Sequence, residues 1–429
     1  MSVLEIEGGY PLYGEVALAG AKNAVLPMLF AGCLSRDETL LENVPTGLGD
    51  VVETVATLRH LGAEIIVDGS TVRIRRDNFP NGQAIPPSSK TRCSLLMLGL
   101  CAALGEGVRI SRPGGCTIGN RKNDIHLDGL RDLGAVVAET GGWIELLAGR
   151  CKGADITLRY PSSTGTINLI IAAAMADGIT VIRNPSRKPE VLDAIGMLFE
   201  MGAMIREHNG ALVVTGVHFL NGAWYRVMAD RLVAATVMAG AAMTRGQAVI
   251  VGASLAPLPN ETEVWKRAGM TLAQIGHGVL AQATDRLAAT SIETGAHLMF
   301  HSDIQPLHGA MMTLAGGKSR IKETTFDNRF AYLDELRKMK ARARVFDGGF
   351  TCANGNPGQV ADIHGVRSLK GAHVTAPDIR GGAALVLAGL AADGTTTVDN
   401  IEQIDRGYER IEELFGLLGA HIRRRDGAA

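Results

Sequence analysis

The sequence predicts an α/β chain assembled from six copies of one pattern, and three observations carry that prediction. A polar or charged residue, an Ala/Leu/Met-rich amphipathic stretch, a Gly-containing turn and a Val/Ile/Thr strand follow one another repeatedly along the chain. The copies start at residues 22, 92, 164, 231, 303 and 380, with spacings of 70, 72, 67, 72 and 77 residues. Each copy also carries a second helix that closes on a Leu-Gly-Ala type turn before another strand, glycine just past a helix being the ordinary stop signal. Helices alternating with strands throughout make the class α/β.

Taken in chain order, the first copy runs from Lys22-Asn23-Ala24-Val25-Leu26-Pro27 to the strand Thr39-Leu40-Leu41, and its second helix ends in Leu58-Arg59-His60-Leu61-Gly62-Ala63. The second, a weaker match, starts at Arg92 and closes on Leu130-Arg131-Asp132-Leu133-Gly134-Ala135. The third runs from Thr164-Gly165-Thr166-Ile167-Asn168 to Ile179-Thr180-Val181-Ile182. Weaker starts at Arg231 and Asp303 give the fourth and fifth. The sixth runs from Arg380-Gly381-Gly382-Ala383 to Thr396-Thr397-Val398 and ends with Leu417-Leu418-Gly419-Ala420.

With 429 residues, 46% hydrophobic content and a net charge of -1, the chain has material for two ordinary domains without disulfides or metals to staple them. Near-neutral charge argues against a nucleic-acid footprint. The N-terminus lacks a basic region followed by an apolar run, and the apolar stretches are interrupted too often to span a bilayer, so a cytoplasmic protein with no membrane partner is expected. Cysteines at 33, 93, 101, 116, 151 and 352 show no CxxC spacing, which agrees with a reducing compartment. No metal site is expected from the eleven histidines, which lack ligand spacing, and no cofactor is called for.

The chemistry-bearing features are cationic. If the first helix of each copy begins at the repeat start, its N-terminus offers free N–H groups and positive dipole potential, and Lys22, Arg92, Arg231 and Arg380 add formal charge at or beside such ends. Several of these ends facing one ligand make an anion site. The loop Pro113-Gly114-Gly115-Cys116-Thr117-Ile118-Gly119-Asn120-Arg121 sets a cysteine among glycines five residues ahead of an arginine, an arrangement that favours thiolate and suits proton transfer or nucleophilic attack.

Over essentially its full length the chain resembles the enolpyruvyl transferases. The resemblance rests on Gly20-Ala21-Lys22-Asn23-Ala24, on the Pro113-Gly114-Gly115-Cys116 loop and on Asp405-Arg406-Gly407-Tyr408-Glu409-Arg410-Ile411-Glu412. It implies an inside-out α/β barrel fold of two domains, each of three βαβαββ units around buried helices. One domain would be residues 22–229 and the other 1–21 plus 230–429, with the active site in the cleft between them. It further implies transfer of the enolpyruvyl group of phosphoenolpyruvate to a hydroxyl of a uridine nucleotide, with phosphate released by addition and elimination. By that resemblance Lys22, Arg121 and Arg406 surround the phosphate, Arg329 and Arg380 hold the donor carboxylate, and Arg92 is a further basic residue of the same site. Arginine forks suit such a ligand because they bind its carboxylate and phosphate oxygens bidentately. Asp303 would accept the acceptor's hydroxyl proton, and Cys116 would deliver a proton to C3 or form an adduct with the donor. Asn23 and Asp303 match contacts to the acceptor's sugar; Asp124, Ile125 and His126 match contacts to uracil and ribose; and Ser162 lies by the diphosphate. Lys122, Asn123, Ser163, Thr164 and Thr325 complete the expected acceptor set.

The departures from the family pattern fall on the acceptor side. Arg121-Lys122-Asn123-Asp124 stands where Arg-Pro-Val-Asp is usual, and Lys188 replaces a glutamate. Leu298-Met299-Phe300-His301-Ser302-Asp303 stands for Pro-His-Pro-Gly-Phe-Pro-Thr-Asp. UDP-N-acetylglucosamine is the reference acceptor, and UMP, as in nucleoside-antibiotic pathways, is the alternative. The Cys116 loop and Asp124-Ile125-His126 point away from shikimate 3-phosphate, and Lys22, Cys116, Asp303 and Arg406 together point away from a non-catalytic relative.

Overall fold

The computed structural model describes residues 2–77, 79, 82–85, 93–113, 118, 123–296 and 299–426. These form two compact units. One comprises Met1–Leu18, Cys116–Arg121 and Ala229–Ala429, and the other comprises Ala19–Gly115 and Lys122–Met228. They are called here the terminal unit and the inserted unit, since the latter interrupts the former.

The third repeat shows the plan common to all six. Strand Asp155–Thr157 leads to helix Ser163–Ala173, then to strand Ile179–Arg183, which lies parallel to the first with Ile156 opposite Ile182. Helix Pro189–Glu200 follows, and a hairpin of Met204–His208 and Ala211–Thr215 closes the sheet antiparallel, Val181 facing Val213. Asn209-Gly210, both at positive φ (48° and 76°), form the tight hairpin turn that this residue pair favours. Among the described residues all six sheets have four strands in this order: one parallel pair, then two antiparallel pairs.

Three sheets borrow a strand from a distant part of the chain. Trp224–Arg226 pairs parallel with Thr39–Glu42 and closes the inserted unit. In the terminal unit, Tyr13–Ala17 pairs parallel with Gln247–Val251. Ser2–Glu7 lies between Thr395–Asp399 and His421–Asp426, antiparallel to both.

The first helix of each repeat is buried almost all round, which accounts for its Ala/Leu/Met/Gly composition: a helix apolar on every face belongs inside. Lys22–Gly32, Ser94–Leu104 and Ser163–Ala173 pack on one another in the inserted unit, and Arg231–Met243, Gln305–Met312 and Ile379–Ala391 do so in the terminal unit. Packing is close enough that a Cβ at Gly99 would meet Asn168 Oδ1 at 2.3 Å. The described helices start within two residues of the expected repeat starts; residue 92 itself lies outside the described residues. The second helices are one-faced, Pro189–Glu200 burying Val191, Ala194, Met197 and Leu198 at helical spacing. Each closes on a residue with positive φ: Gly62, Gly134, Gly202, Gly269 and Gly419 at 82–104°, and Lys340 at 71° in the fifth repeat.

One expectation about these helices needs correction. The N-termini of Arg231–Met243 and Ile379–Ala391 are not open anion sites. Asp230 accepts the N–H groups of Leu232 (2.8 Å) and Val233 (3.1 Å), and Asp378 accepts those of Arg380 (3.0 Å) and Gly381 (3.1 Å). Ser162 does the same for Gly165 at 3.2 Å. An aspartate just ahead of a helix is a capping residue that satisfies the orphan donors and complements the dipole, so the sign of the potential there is set by the cap. Lys22–Gly32 has no side-chain cap. No helix among the described residues is long and apolar enough to cross a membrane.

Candidate active site

Cys116, Arg121, Lys122 and Arg92 lie outside the described residues, as do Gly114, Gly115 and Thr117 of the cysteine loop. Of that loop Ile118 is described: it is 3% exposed, and its carbonyl accepts the N–H of Asn328 at 3.2 Å, next to Arg329.

The terminal unit gathers Asp303, Arg329, Thr325 and Arg380. Arg329 is 2% exposed, and its guanidinium is held within this unit. Nη2 donates to Asp303 Oδ1 at 2.5 Å, Nη1 to Asp378 Oδ1 at 3.1 Å and Nε to the Ser302 carbonyl at 3.2 Å. A buried guanidinium between two carboxylates is the geometry that compensates the desolvation of all three charges. The aspartate that caps the last buried helix therefore also anchors the arginine that holds Asp303. The Asp303 side chain is 25% exposed, so the carboxylate is held from behind while part of it remains accessible.

The turn that presents these groups is organised by Glu323, which is 0% exposed. Its carboxylate accepts the Ser302 hydroxyl at 3.0 Å and the N–H groups of Thr325 (2.9 Å) and Phe326 (3.1 Å). Burial raises its pKa, against the pull of Arg329 and of these hydrogen bonds. Thr325 is thereby placed by its backbone at this turn.

Arg380, 5% exposed, lies over the Tyr408 ring at 5.1 Å, and the Tyr408 hydroxyl meets Thr236 Oγ1 at 2.8 Å. Burial alone would lower the guanidinium's pKa, but Tyr408, Asp230 and Asp303 outweigh it and raise the pKa, keeping the group charged. Its Nη1 has no hydrogen-bond partner among the described residues. A buried, charged donor without a partner is costly, by about 1–3 kcal/mol, and such groups in folded proteins call for an explanation. Arg406, half-buried, donates through Nη1 to Gln403 at 3.2 Å.

The inserted unit gathers the rest. Lys22, at the first turn of its uncapped helix, is 7% exposed and pairs with the equally buried Asp50 at 2.8 Å. Asn23, beside it, is exposed. At the opposite helix pair, Asp124 accepts the N–H of Ile125 at 2.8 Å and pairs with Arg159 at 3.1 Å. His126 is 4% exposed, with Nδ1 3.1 Å from the Asn168 amide and Nε2 3.5 Å from the Thr164 hydroxyl. The amide donates to Nδ1, so the ring proton sits on Nε2 toward Thr164. Ser163 Oγ lies 3.1 Å from Ser186 Oγ, whose oxygen also accepts the Lys188 N–H at 3.5 Å. Asn123 immediately precedes the helix that starts at Asp124.

Asp50, Asp378, Glu323, Tyr408 and Asn168 were not singled out by the sequence reading. Asp378 and Asp230 had a readable signal, an aspartate directly ahead of a buried helix. Asp50 had none, because Lys22 lies 28 residues away along the chain, and Glu323 bonds Ser302 across 21 residues as well as the nearby N–H groups of Thr325 and Phe326. Four of the described cysteines are not nucleophiles of low pKa: burial pushes Cys33 and Cys101 up to about 12, and Cys151 and Cys352 up to about 11.

The sequence matches the family described as EPSP synthase (3-phosphoshikimate 1-carboxyvinyltransferase) over residues 6–415. It is 38% identical over 426 residues to UDP-N-acetylglucosamine 1-carboxyvinyltransferase of Desulfatibacillum aliphaticivorans, covering 99% of this chain and 100% of that one. It is 41% identical over 431 residues to the protein of the same name from Shewanella amazonensis, with coverage of 99% and 100%. Among solved structures, the enolpyruvyl transferase NikO from Streptomyces tendae superposes with a TM-score of 0.87 at 22% identity, covering 99% of this chain and 98% of that one. EPSP synthase from Acinetobacter baumannii gives 0.75 at 18%, covering 99% and 100%; both likenesses speak to the fold. Six repeated sheets around buried helices, that likeness and full-length identity near two residues in five lead to one assignment: this chain is an enzyme of the enolpyruvyl (carboxyvinyl) transferase family.

Proposed function

We propose that the enzyme transfers the enolpyruvyl group of phosphoenolpyruvate to a hydroxyl of UDP-N-acetylglucosamine and releases phosphate. The observation that carries this reading is full-length identity of 38–41% to relatives that bear that acceptor in their names. In it the acceptor oxygen attacks C2 of the donor while Asp303 takes the hydroxyl proton and Cys116 gives a proton to C3. The tetrahedral adduct then expels phosphate, a proton leaves C3, and the vinyl ether remains. C2 becomes electrophilic only as C3 is protonated, which is why an acid and a base are both needed.

Lys22, Arg92, Arg121 and Arg406 take the donor phosphate, and Arg329 and Arg380 its carboxylate, charge that builds in the adduct being met by the same groups. The unpartnered Nη1 of buried Arg380 supports the carboxylate role, since a bound anion supplies the missing acceptor. His126, Asp124, Ile125 and Asn123 take the uridine; Ser162, Ser163, Thr164 and Lys122 the diphosphate; and Asn23, Thr325 and Asp303 the sugar.

The test is phosphate release from phosphoenolpyruvate with UDP-N-acetylglucosamine, UMP or shikimate 3-phosphate offered separately, each product weighed for an added enolpyruvyl group. Turnover with the nucleotide sugar is expected. Turnover with UMP alone would overturn the acceptor and turn attention to Lys122, Thr164 and Lys188.

A further inference from the structure

The segment that presents Asp303 is held by a histidine. The backbone N–H of His301 donates to the buried Glu261 carboxylate at 2.7 Å, and the His301 carbonyl accepts the N–H groups of Ile304 (2.9 Å) and Gln305 (3.1 Å), starting the next helix. Across this turn the His301 imidazole Nδ1 accepts the N–H of Asp303 at 3.0 Å. A side chain at position i accepting the N–H of i+2 is what an asparagine or aspartate does in an Asx turn. Here an imidazole does it, and the ring is 8% exposed. A ring nitrogen that accepts keeps its lone pair, so this bond exists only while Nδ1 is unprotonated. The ring lines a small recess with Arg231, Asn260, Glu261 and Met299.

We propose that His301 is a positioning residue for Asp303, and that it aligns the carboxylate only as a neutral imidazole with its proton on Nε2. The proposal rests on the reading that Asp303 takes the acceptor proton. Protonating His301 turns its acceptor into a donor facing another donor, which expels the Asp303 N–H and loosens the turn, while Arg329 continues to hold the carboxylate from the other side. Among the described residues, the charged groups beside His301 are Glu261 from helix Pro259–Arg267 and Arg231 from the first turn of its helix, which line the same recess, and Asp303, whose carboxylate Arg329 holds. Glu261 and Asp303 favour the imidazolium and Arg231 opposes it. Misaligning a catalytic carboxylate lowers the rate of chemistry more than it weakens binding, a shift of about 1 Å costing on the order of 100-fold.

The experiment compares His301→Ala and His301→Asn with the parent enzyme, using phosphoenolpyruvate and UDP-N-acetylglucosamine across pH. Asparagine Oδ1 supplies the same acceptor and does not titrate. His301→Ala is expected to lose about 10- to 100-fold in kcat with KM for both substrates within about threefold. His301→Asn is expected to recover to within about threefold of the parent and to lack the fall in kcat that the parent shows on acidification through about pH 7 to 5, where imidazoles protonate. An asparagine variant as impaired as the alanine one, or one that shares the parent's acid limb, overturns the proposal. Nitrogen NMR of the histidine-labelled chain, which needs no turnover, reads the tautomer: a proton on Nδ1 at pH 8, or an Asp303 amide that does not follow the ring's titration, overturns it as well. Asp303→Asn with undiminished turnover would instead defeat the reading of Asp303 while the NMR result stands on its own.

Discussion

The two units put the same repeat to different electrostatic use. In the inserted unit the first buried helix has no side-chain cap and starts with Lys22, which pairs with the buried carboxylate of Asp50 at 2.8 Å, and Thr164, His126 and Asn168 form a neutral chain. In the terminal unit two helix starts are capped by Asp230 and Asp378, and the cations sit within a carboxylate-rich network of Asp303, Asp378 and Glu323. One repeat therefore supplies a helix start without a side-chain cap and another a clamp for the Asp303 carboxylate. The difference lies in the residue ahead of the helix, since a capping aspartate both fills the free N–H groups and cancels the dipole's charge.

The largest effect expected from breaking this contrast follows Arg329→Met. It strips Asp303 and Asp378 of their shared cation, and breaking a buried ion pair costs about 3–5 kcal/mol. Urea unfolding followed at Trp265, which is buried in the terminal unit, measures the loss; turnover should fall by at least about 100-fold, in line with misplacing the carboxylate proposed as the base. If stability and rate stay near parental values, the clamp is not what organises the site. Lys22→Met tests the simpler pair. It leaves the Asp50 carboxylate buried without this cation and is expected to cost about 3 kcal/mol, and Asp50→Asn in the same background should recover part of it. Hydrogen exchange should place that loss in residues of the inserted unit, and a loss spread evenly over both units would contradict the prediction.

A pH-dependent difference comes next. His308 in the terminal unit is fully buried, its Nδ1 accepting the Trp265 indole N–H at 3.3 Å and its Nε2 lying 3.3 Å from the Thr290 carbonyl. Burial pulls its pKa from 6.5 down to about 4. The unfolded chain then takes up a proton near pH 6.5 that the folded chain refuses until about pH 4, so stability falls as pH drops through that window. By linkage the loss reaches about 3 kcal/mol at its foot. His308→Gln should remove that slope, and Trp265 fluorescence during unfolding at pH 7 and at pH 4.5 compares the two proteins. Smallest is Lys340→Gly. Five repeats close their second helix on glycine, and the fifth forces a lysine to φ 71°. Left-handed backbone costs a non-glycine residue about 1–2 kcal/mol, and glycine's greater unfolded entropy returns about 0.5–1 of that, so a gain of up to about 1.5 kcal/mol is expected in a thermal melt.

What the sequence by itself determined is the repetition: where buried helices begin, where second helices stop, and that cations recur at helix starts. These are local matters of apolar period, glycine φ and spacing, and a periodic signal survives in one dimension. Helix starts at 22, 163, 231, 305 and 379 against expected starts at 22, 164, 231, 303 and 380 show how far it reaches. Tertiary structure alone decided which carboxylate meets which cation. Asp50 reaches Lys22 across 28 residues, Asp378 reaches Arg329 across 49, and Trp224–Arg226 finds Thr39–Glu42 only by closing the inserted unit. Whether a helix end stays positive or is neutralised, and whether an arginine keeps an unpartnered donor or holds a carboxylate, depends on partners that packing brings within about 3 Å, where burial makes each charge count.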